Sequence, residues 1–188
     1  MKNILFINAC LRDNSRTLKL AKEVLNNLEG KVCEVDLYTE DIKPLDNDML
    51  NLRDKSFSEN DFSDDYFRYV KQFKDADEIV IAAPYWDLSF PSVLKIYLEN
   101  ICINGVSFKY SEDGIPVGLC KAKRLIYVAS AGGFIPKDNY AFNYVESLAK
   151  DFFGIKDTLF IKAEGLDIDG SNVELIIDDV IKNIKKII

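Results

Sequence analysis

The sequence predicts an α/β fold: a doubly wound, five-stranded parallel sheet with helices on both faces. Three observations point to it. Short apolar runs alternate with stretches whose apolar residues recur at helical spacing. The run Ile79-Val80-Ile81-Ala82-Ala83 is unbroken, as expected of a strand covered on both faces. No internal repeat or Gly/Ser-rich linker divides the 188 residues, so residues 1–188 are expected to form one domain with a sizeable core.

Residues 2–8, with Ile4-Leu5-Phe6-Ile7, read as a buried strand. Leu18, Ala21, Val24, Leu25 and Leu28 then mark a helix, with Gly30 as its expected stop. Residues 32–38 alternate as a second strand. Residues 39–61 are polar and acidic, and read as a long loop serving as a lid or a dimer contact. Phe62, Tyr66, Tyr69, Val70 and Phe73 mark a helix, and residues 78–83 the third strand. Pro91 opens a helix carrying Val93, Leu94, Tyr97, Leu98 and Ile101, since proline in a first turn loses no hydrogen bond.

Residues 106–119 read as a small hairpin insertion, and residues 124–129 as the fourth strand. Tyr140/Ala141, Tyr144/Val145, Leu148/Ala149 and Phe152/Phe153 recur every four residues, a helical pattern. Residues 158–163 are the last strand. Ser171 and Glu174 form an expected capping box ahead of Val173, Ile176, Ile177, Val180, Ile181, Ile184 and Ile187. Asp178 and Asp179 come early in that helix and Lys182, Lys185 and Lys186 late, as the helix dipole favours.

Composition narrows the chemistry. Lys and Arg number 24 against 31 Asp and Glu, a net charge of −7, which argues against nucleic acid as a partner. Histidine is absent, which removes His-based nucleophile systems, His-ligated zinc and any imidazole proton shuttle. The four cysteines, Cys10, Cys33, Cys102 and Cys120, match no zinc or disulfide spacing and read as reduced thiols of a cytoplasmic protein. The N-terminal apolar run is too short for a signal peptide, and no window approaches the roughly 18 apolar residues of a membrane span.

Ligands of open parallel sheets bind beyond the carboxyl ends of the strands. Three loops leave those ends with unusual composition: residues 8–17, 84–90 and 130–138. In the first, Ser15 and Thr17 stand at a helix start, where hydroxyls, free N–H groups and the helix dipole favour an anion. Lys2, Arg12, Arg16, Lys19 and Lys22 face the single anion Asp13 there, although Ser15 could equally be a plain helix cap. Neither GxGxxG nor GxxxxGK[ST] occurs. The second loop holds the only tryptophan, Trp86, with Tyr85, Phe90, Pro84 and Pro91: a stiff backbone with flat walls suited to a planar heterocycle, unless Trp86 and Phe90 simply fill the core. In the third, Gly132 and Gly133 allow close backbone approach. A phosphate at one end and a planar ring at the other fit FMN at the switch point of a flavodoxin-like sheet.

Pro84-Tyr85-Trp86-Asp87 leads through Pro91, Leu94 and Lys95 to Gly105-Val106-Ser107-Phe108-Lys109-Tyr110. This stretch resembles the Pro-Met-Tyr-Asn-Phe…Pro…Leu-Lys…Gly-x-x-Phe-x-Tyr pattern of the FMN-dependent NADH:azoreductase and NAD(P)H:quinone oxidoreductase family. Ser130-Ala131-Gly132-Gly133 resembles that family's Ser-x-Gly-Gly loop, and Cys10 and Ser15-Arg16-Thr17 fall at its phosphate-loop Ser and Ser-x-Ser. The similarity runs over about residues 2–163 and is weak across 39–61.

The resemblance implies bound FMN, NADH or NADPH as cosubstrate, and quinones, azo compounds or similar flat electron acceptors. It also implies a homodimer in which residues 39–61 help wall the partner's site. Ser15, Arg16 and Thr17, with Cys10, would lie at the phosphate. Pro84, Tyr85, Trp86, Asp87 and Leu88 would line the isoalloxazine, and Ser130, Ala131, Gly132 and Gly133 its pyrimidine side. Phe134 and Tyr110 would line the substrate pocket. The flavin N5 would carry hydride with no catalytic side chain, Asp87 and Tyr110 acting at most as modulators.

Three positions depart from the family pattern. Cys10 replaces a hydroxyl with a weak donor. Leu88 replaces an aromatic, a change toward a wider pocket. Asp87 replaces an Asn near the expected N5. A carboxylate facing the ring would disfavour an anionic reduced flavin, whereas the expected backbone N–H contact would leave the flavin unaffected. The competing readings are a flavodoxin-type electron carrier, whose phosphate loop would be richer in Thr and Gly, and a flavin-free regulatory domain.

Overall fold

β1 (Asn3–Asn8), β3 (Glu78–Ala82) and β6 (Arg124–Ser130) occupy the middle of the main sheet because their side chains are apolar on both faces. A computed structural model describes all 188 residues. β2 (Lys31–Asp36) and β7 (Asp157–Ala163) form the edges, giving the order β2-β1-β3-β6-β7 with every pairing parallel. β1 pairs with both β2 and β3, so the winding reverses beside it, the order of a flavodoxin-like sheet.

The two faces have separate cores. Leu5, Ile7, Ile79, Ile81, Leu125 and Tyr127 face α3 (Arg68–Asp75), α4 (Ser92–Ile101) and α5 (Phe142–Ser147). Ile4, Phe6, Val80, Ala82, Ile126 and Val128 face α1 (Arg16–Asn26) and α6 (Val173–Ile187). β4 (Phe108–Tyr110) and β5 (Pro116–Gly118) form the expected hairpin, antiparallel and separate from the main sheet.

Residues 39–61 are not a plain loop. They contain α2 (Asn47–Glu59), which starts where Asp46 Oδ1 accepts the Met49 N–H at 2.8 Å and ends on left-handed Asn60. Its apolar residues form no stripe, and only Ser56 is buried. Distant contacts hold it instead: Arg53 Nε donates to Tyr66 Oη at 2.7 Å, and its Nη2 donates to the Glu99 carbonyl at 3.0 Å.

Three termini also differ from expectation. α1 stops at Asn26, short of Gly30, whose missing side chain instead makes room for the Lys2 carbonyl, 2.7 Å from where a Cβ would lie. The cap of α6 is Asn172, accepting the Leu175 N–H at 3.1 Å, while Ser171 donates to the Gly165 carbonyl at 2.7 Å. α3 is entered through a short 3-10 turn at Asp65–Phe67, so Phe62 precedes the helix and packs edge-on against Phe67.

The four-residue spacing has its own explanation. Ala141, Val145, Ala149 and Phe153 are all buried. A regular α-helix would rotate them about 40° per repeat away from the core. After α5 the chain widens into a π-turn at Leu148–Phe152, closed by Phe153 N–H on the Leu148 carbonyl at 3.0 Å, which keeps the four side chains on one face.

Burial pushes the thiols of Cys10 and Cys102 up to about 11, and that of Cys120 to about 12, from an ordinary 9.0. These thiols stay protonated in the folded chain while the unfolded chain ionises first. Their contribution is therefore complete below about pH 9 and is lost as pH rises from 9 toward 12. Urea unfolding at pH 8 and pH 10.5 is expected to show a loss of a few kcal/mol, since each unit of displacement is worth about 1.4 kcal/mol. Equal stability at the two pH values would contradict this.

Candidate functional site

The loops following β1, β3, β6 and β7 surround a cleft of about 410 Å³ at the carboxyl end of the sheet, a volume in the small-molecule range. The loop after β1 contributes Leu11, Arg12, Asn14, Ser15 and Arg16; the loop after β3 contributes Pro84, Tyr85 and Trp86. Ser130, Ala131 and Gly132 enter from β6, and Leu166 and Asp167 from β7.

At the α1 end, Ser15 is both a cap and a cleft residue. Its Oγ accepts the Leu18 N–H at 3.2 Å, and its own N–H is closed onto the Arg12 carbonyl at 3.0 Å. The N–H groups of Arg16 and Thr17 have no acceptor within the chain. Free donors at a helix N-terminus beside two guanidinium groups make a corner suited to an anion.

The side chains of two residues expected at this corner point away from it. The Thr17 side chain is fully buried, its Oγ1 2.7 Å from Ser130 Oγ, so it ties α1 to the end of β6. Cys10 is buried beneath the loop: its Sγ points to the Ala82 carbonyl at 3.7 Å and its N–H donates to Asn8 Oδ1 at 3.0 Å. Asn8 in turn donates to Glu34 at 3.0 Å, fastening the ends of β1 and β2.

The opposite wall is aromatic. Trp86 remains partly exposed on the cleft, whereas Phe90 turns away and packs against Tyr144 at 5.9 Å between ring centres. The Tyr85 N–H donates to the Ser130 carbonyl at 3.0 Å, locking two of the loops together. Burial raises the Tyr85 phenol above its ordinary 10.0, with a smaller contribution from Tyr140.

Asp87 and Leu88 do not line this cleft. They are the central pair of a two-residue turn closed by reciprocal Trp86–Ser89 bonds of 3.0 and 2.8 Å, with φ of 49° and 67°. Such a mirror-type turn demands left-handed backbone at both positions, which glycine or asparagine adopts readily and leucine does not. Leu88→Gly is therefore expected to stabilise the protein by about 0.5–1 kcal/mol, raising Tm by about 1–4 °C. A fall in Tm would mean that the leucine side chain more than offsets its backbone strain.

Gly133, Phe134 and Tyr110 also lie outside the cleft wall. Phe134 is 72% exposed and Tyr110 52% exposed, the latter edge-on to Phe108 at 5.4 Å. Conversely, Leu166 and Asp167 line the cleft without having been expected there. Asp167 meets Arg16 across the mouth, Oδ1 to Nη1 at 2.8 Å. The rule that placed the other loops applies equally to the β7 loop, but its composition drew no attention to it.

An open sheet wound in this order, with a cleft at its carboxyl edge that joins a cationic corner to a stiff aromatic wall, defines the class: a flavodoxin-like α/β protein. The chain belongs to the Flavodoxin_2 family, whose model, described as a flavodoxin-like fold, matches residues 2–188.

It is 36% identical over 195 residues to an FMN-dependent NADH:quinone oxidoreductase of Clostridium beijerinckii, covering 99% of this chain and 98% of the relative. A protein of the same description from Coprothermobacter proteolyticus is 35% identical, covering 100% of this chain and 98% of the relative. Among solved structures, an azoreductase from Bacillus anthracis superposes with a TM-score of 0.85 at 27% identity, covering 99% and 98% of the two chains.

Proposed function

We propose that the protein is an FMN-dependent NADH:quinone oxidoreductase of azoreductase type, passing two electrons as hydride from NADH to a flat acceptor such as a quinone or azo compound. The observation that carries this is the cleft at the carboxyl end of the sheet, which offers cations and free helix N–H groups at one end and Trp86 beside Pro84 and Tyr85 at the other. These residues fit FMN: the cationic corner suits its phosphate, and the aromatic wall its ring.

When bound, FMN supplies hydride acceptance and donation at its N5. The chain's residues do the rest. Ser15, Arg12 and Arg16, with the N–H groups of Arg16 and Thr17, hold the phosphate. Pro84, Tyr85 and Trp86 orient the ring and exclude water from one side. Ser130 and Gly132 bring backbone against the other side, and the Ser130–Thr17 hydroxyl pair holds the two ends in register. Tyr85 is a protonated phenol at neutral pH, and burial raises its pKa further.

The working assembly is a homodimer, supported by exposed Leu88, Phe134 and Tyr140. The location is cytoplasmic, supported by four cysteines that form no disulfide. No helix is long and apolar enough to cross a membrane.

The test is an anaerobic titration of the purified protein mixed with FMN. NADH is expected to bleach the bound flavin in one two-electron step, and one equivalent of a quinone to restore the yellow colour. Bound FMN that oxidises neither NADH nor NADPH would overturn the oxidoreductase. A long-lived one-electron form would instead indicate an electron carrier, and protein that stays colourless a flavin-free role.

A further inference from the structure

Asp167 is held on the cleft wall by backbone. Its N–H donates to the Gly132 carbonyl at 2.9 Å, the Leu166 N–H to the Ala131 carbonyl at 3.2 Å, and the Gly165 N–H to the Gly133 carbonyl at 2.8 Å. The β7 loop thus rides along the glycine loop. Gly132 leaves room for the carboxylate: a Cβ there would lie 2.4 Å from Asp167 Oδ2. From this position Oδ1 reaches Arg16 Nη1 at 2.8 Å.

The cleft wall has two cations, Arg12 and Arg16, and Asp167 neutralises one of them. A phosphate monoester carries about −1.5 to −2 at neutral pH. To bind beside Ser15, it must share or take Arg16 from Asp167 while facing a like charge across the mouth.

We infer that Asp167 is a specificity-determining residue that competes with the flavin phosphate for Arg16, weakening FMN relative to phosphate-free flavin. This rests on the reading of the cleft as an FMN site. No reaction step is assigned to Asp167, and its effect is on equilibrium binding. Both partners of the ion pair are substantially exposed, so the competition is modest and screened by salt.

The test measures FMN and riboflavin affinity by flavin fluorescence in the wild type, Asp167→Asn, Arg16→Gln and the double variant. Asp167→Asn is expected to tighten FMN about three- to tenfold, combining an exposed ion pair that need no longer break with the loss of one like charge. Riboflavin should change by less than about twofold, the gain on FMN should shrink at high salt, and it should largely vanish in the Arg16→Gln background. Asp167→Ser is expected to act as Asp167→Asn does, so the inference does not depend on one variant folding well.

Unchanged or weaker FMN binding in Asp167→Asn, or an equal gain for riboflavin, overturns the inference. A wild type that binds neither flavin overturns the reading of the cleft and this inference together. A wild type that binds FMN but does not respond at Asp167 overturns this inference alone.

Discussion

FMN at about a thousandfold excess over its dissociation constant is expected to raise Tm by about 8–16 °C. A ligand that binds only the folded chain contributes about 4 kcal/mol at that excess, and a domain of this size moves by roughly 2–4 °C per kcal/mol. The cleft takes residues from four loops far apart in sequence, around residues 12, 85, 131 and 167, so it exists only in the folded chain and the ligand binds that state alone. A ligand touching all four ties together the ends of β1, β3, β6 and β7. Riboflavin at the same concentration should shift Tm less, since it leaves the N–H groups of Arg16 and Thr17 without an anion. NADH alone should leave Tm almost unchanged. A melt insensitive to FMN would remove the cofactor from this cleft.

Replacing Gly118 with alanine is expected to cost about 3 kcal/mol, the upper range for forcing extra volume into a packed region. The added Cβ would lie 2.2 Å from both the Gly154 nitrogen and the Phe153 carbonyl carbon. Those are backbone atoms, so no rotamer change relieves the clash. The hairpin of β4 and β5 must lift off the end of the π-turn, and Phe108 then loses its edge-on contact with Phe152, now 4.9 Å between ring centres. Tm should fall by roughly 6–12 °C. Gly133→Ala is the control: nothing lies within 4 Å of its added Cβ, and stability should stay within about 0.5 kcal/mol. Because the hairpin does not line the cleft, Gly118→Ala should retain FMN binding well below its melting point. Equal melting of the two variants would show that the Gly118–Gly154 contact yields at little cost.

The strands were legible because burial on both faces leaves unbroken apolar runs, of which residues 79–83 are the clearest. The loops at the carboxyl end of the sheet stood out because clustered cations, paired prolines and paired glycines are unusual in such positions. α2 was not legible. Its caps are local, but the contacts that hold it run from Arg53 to Tyr66 and Glu99, and no apolar stripe announced them. The π-turn was half visible: the four-residue repeat was in the sequence, yet only packing showed that the helix widens to keep it inward.

The absence of histidine, set by the sequence alone, takes imidazole out of any proton delivery and leaves it to groups such as water, phenols or carboxylates. The sequence likewise determined the alternation of strands with helices and the composition of three of the cleft's loops. Tertiary structure alone decided which side chains face the cleft. Thr17 meets Ser130 across 113 residues, and Arg16 meets Asp167 across 151. Such pairings depend on which strands become neighbours and on the register between them, and neither leaves a periodic trace around the residues involved.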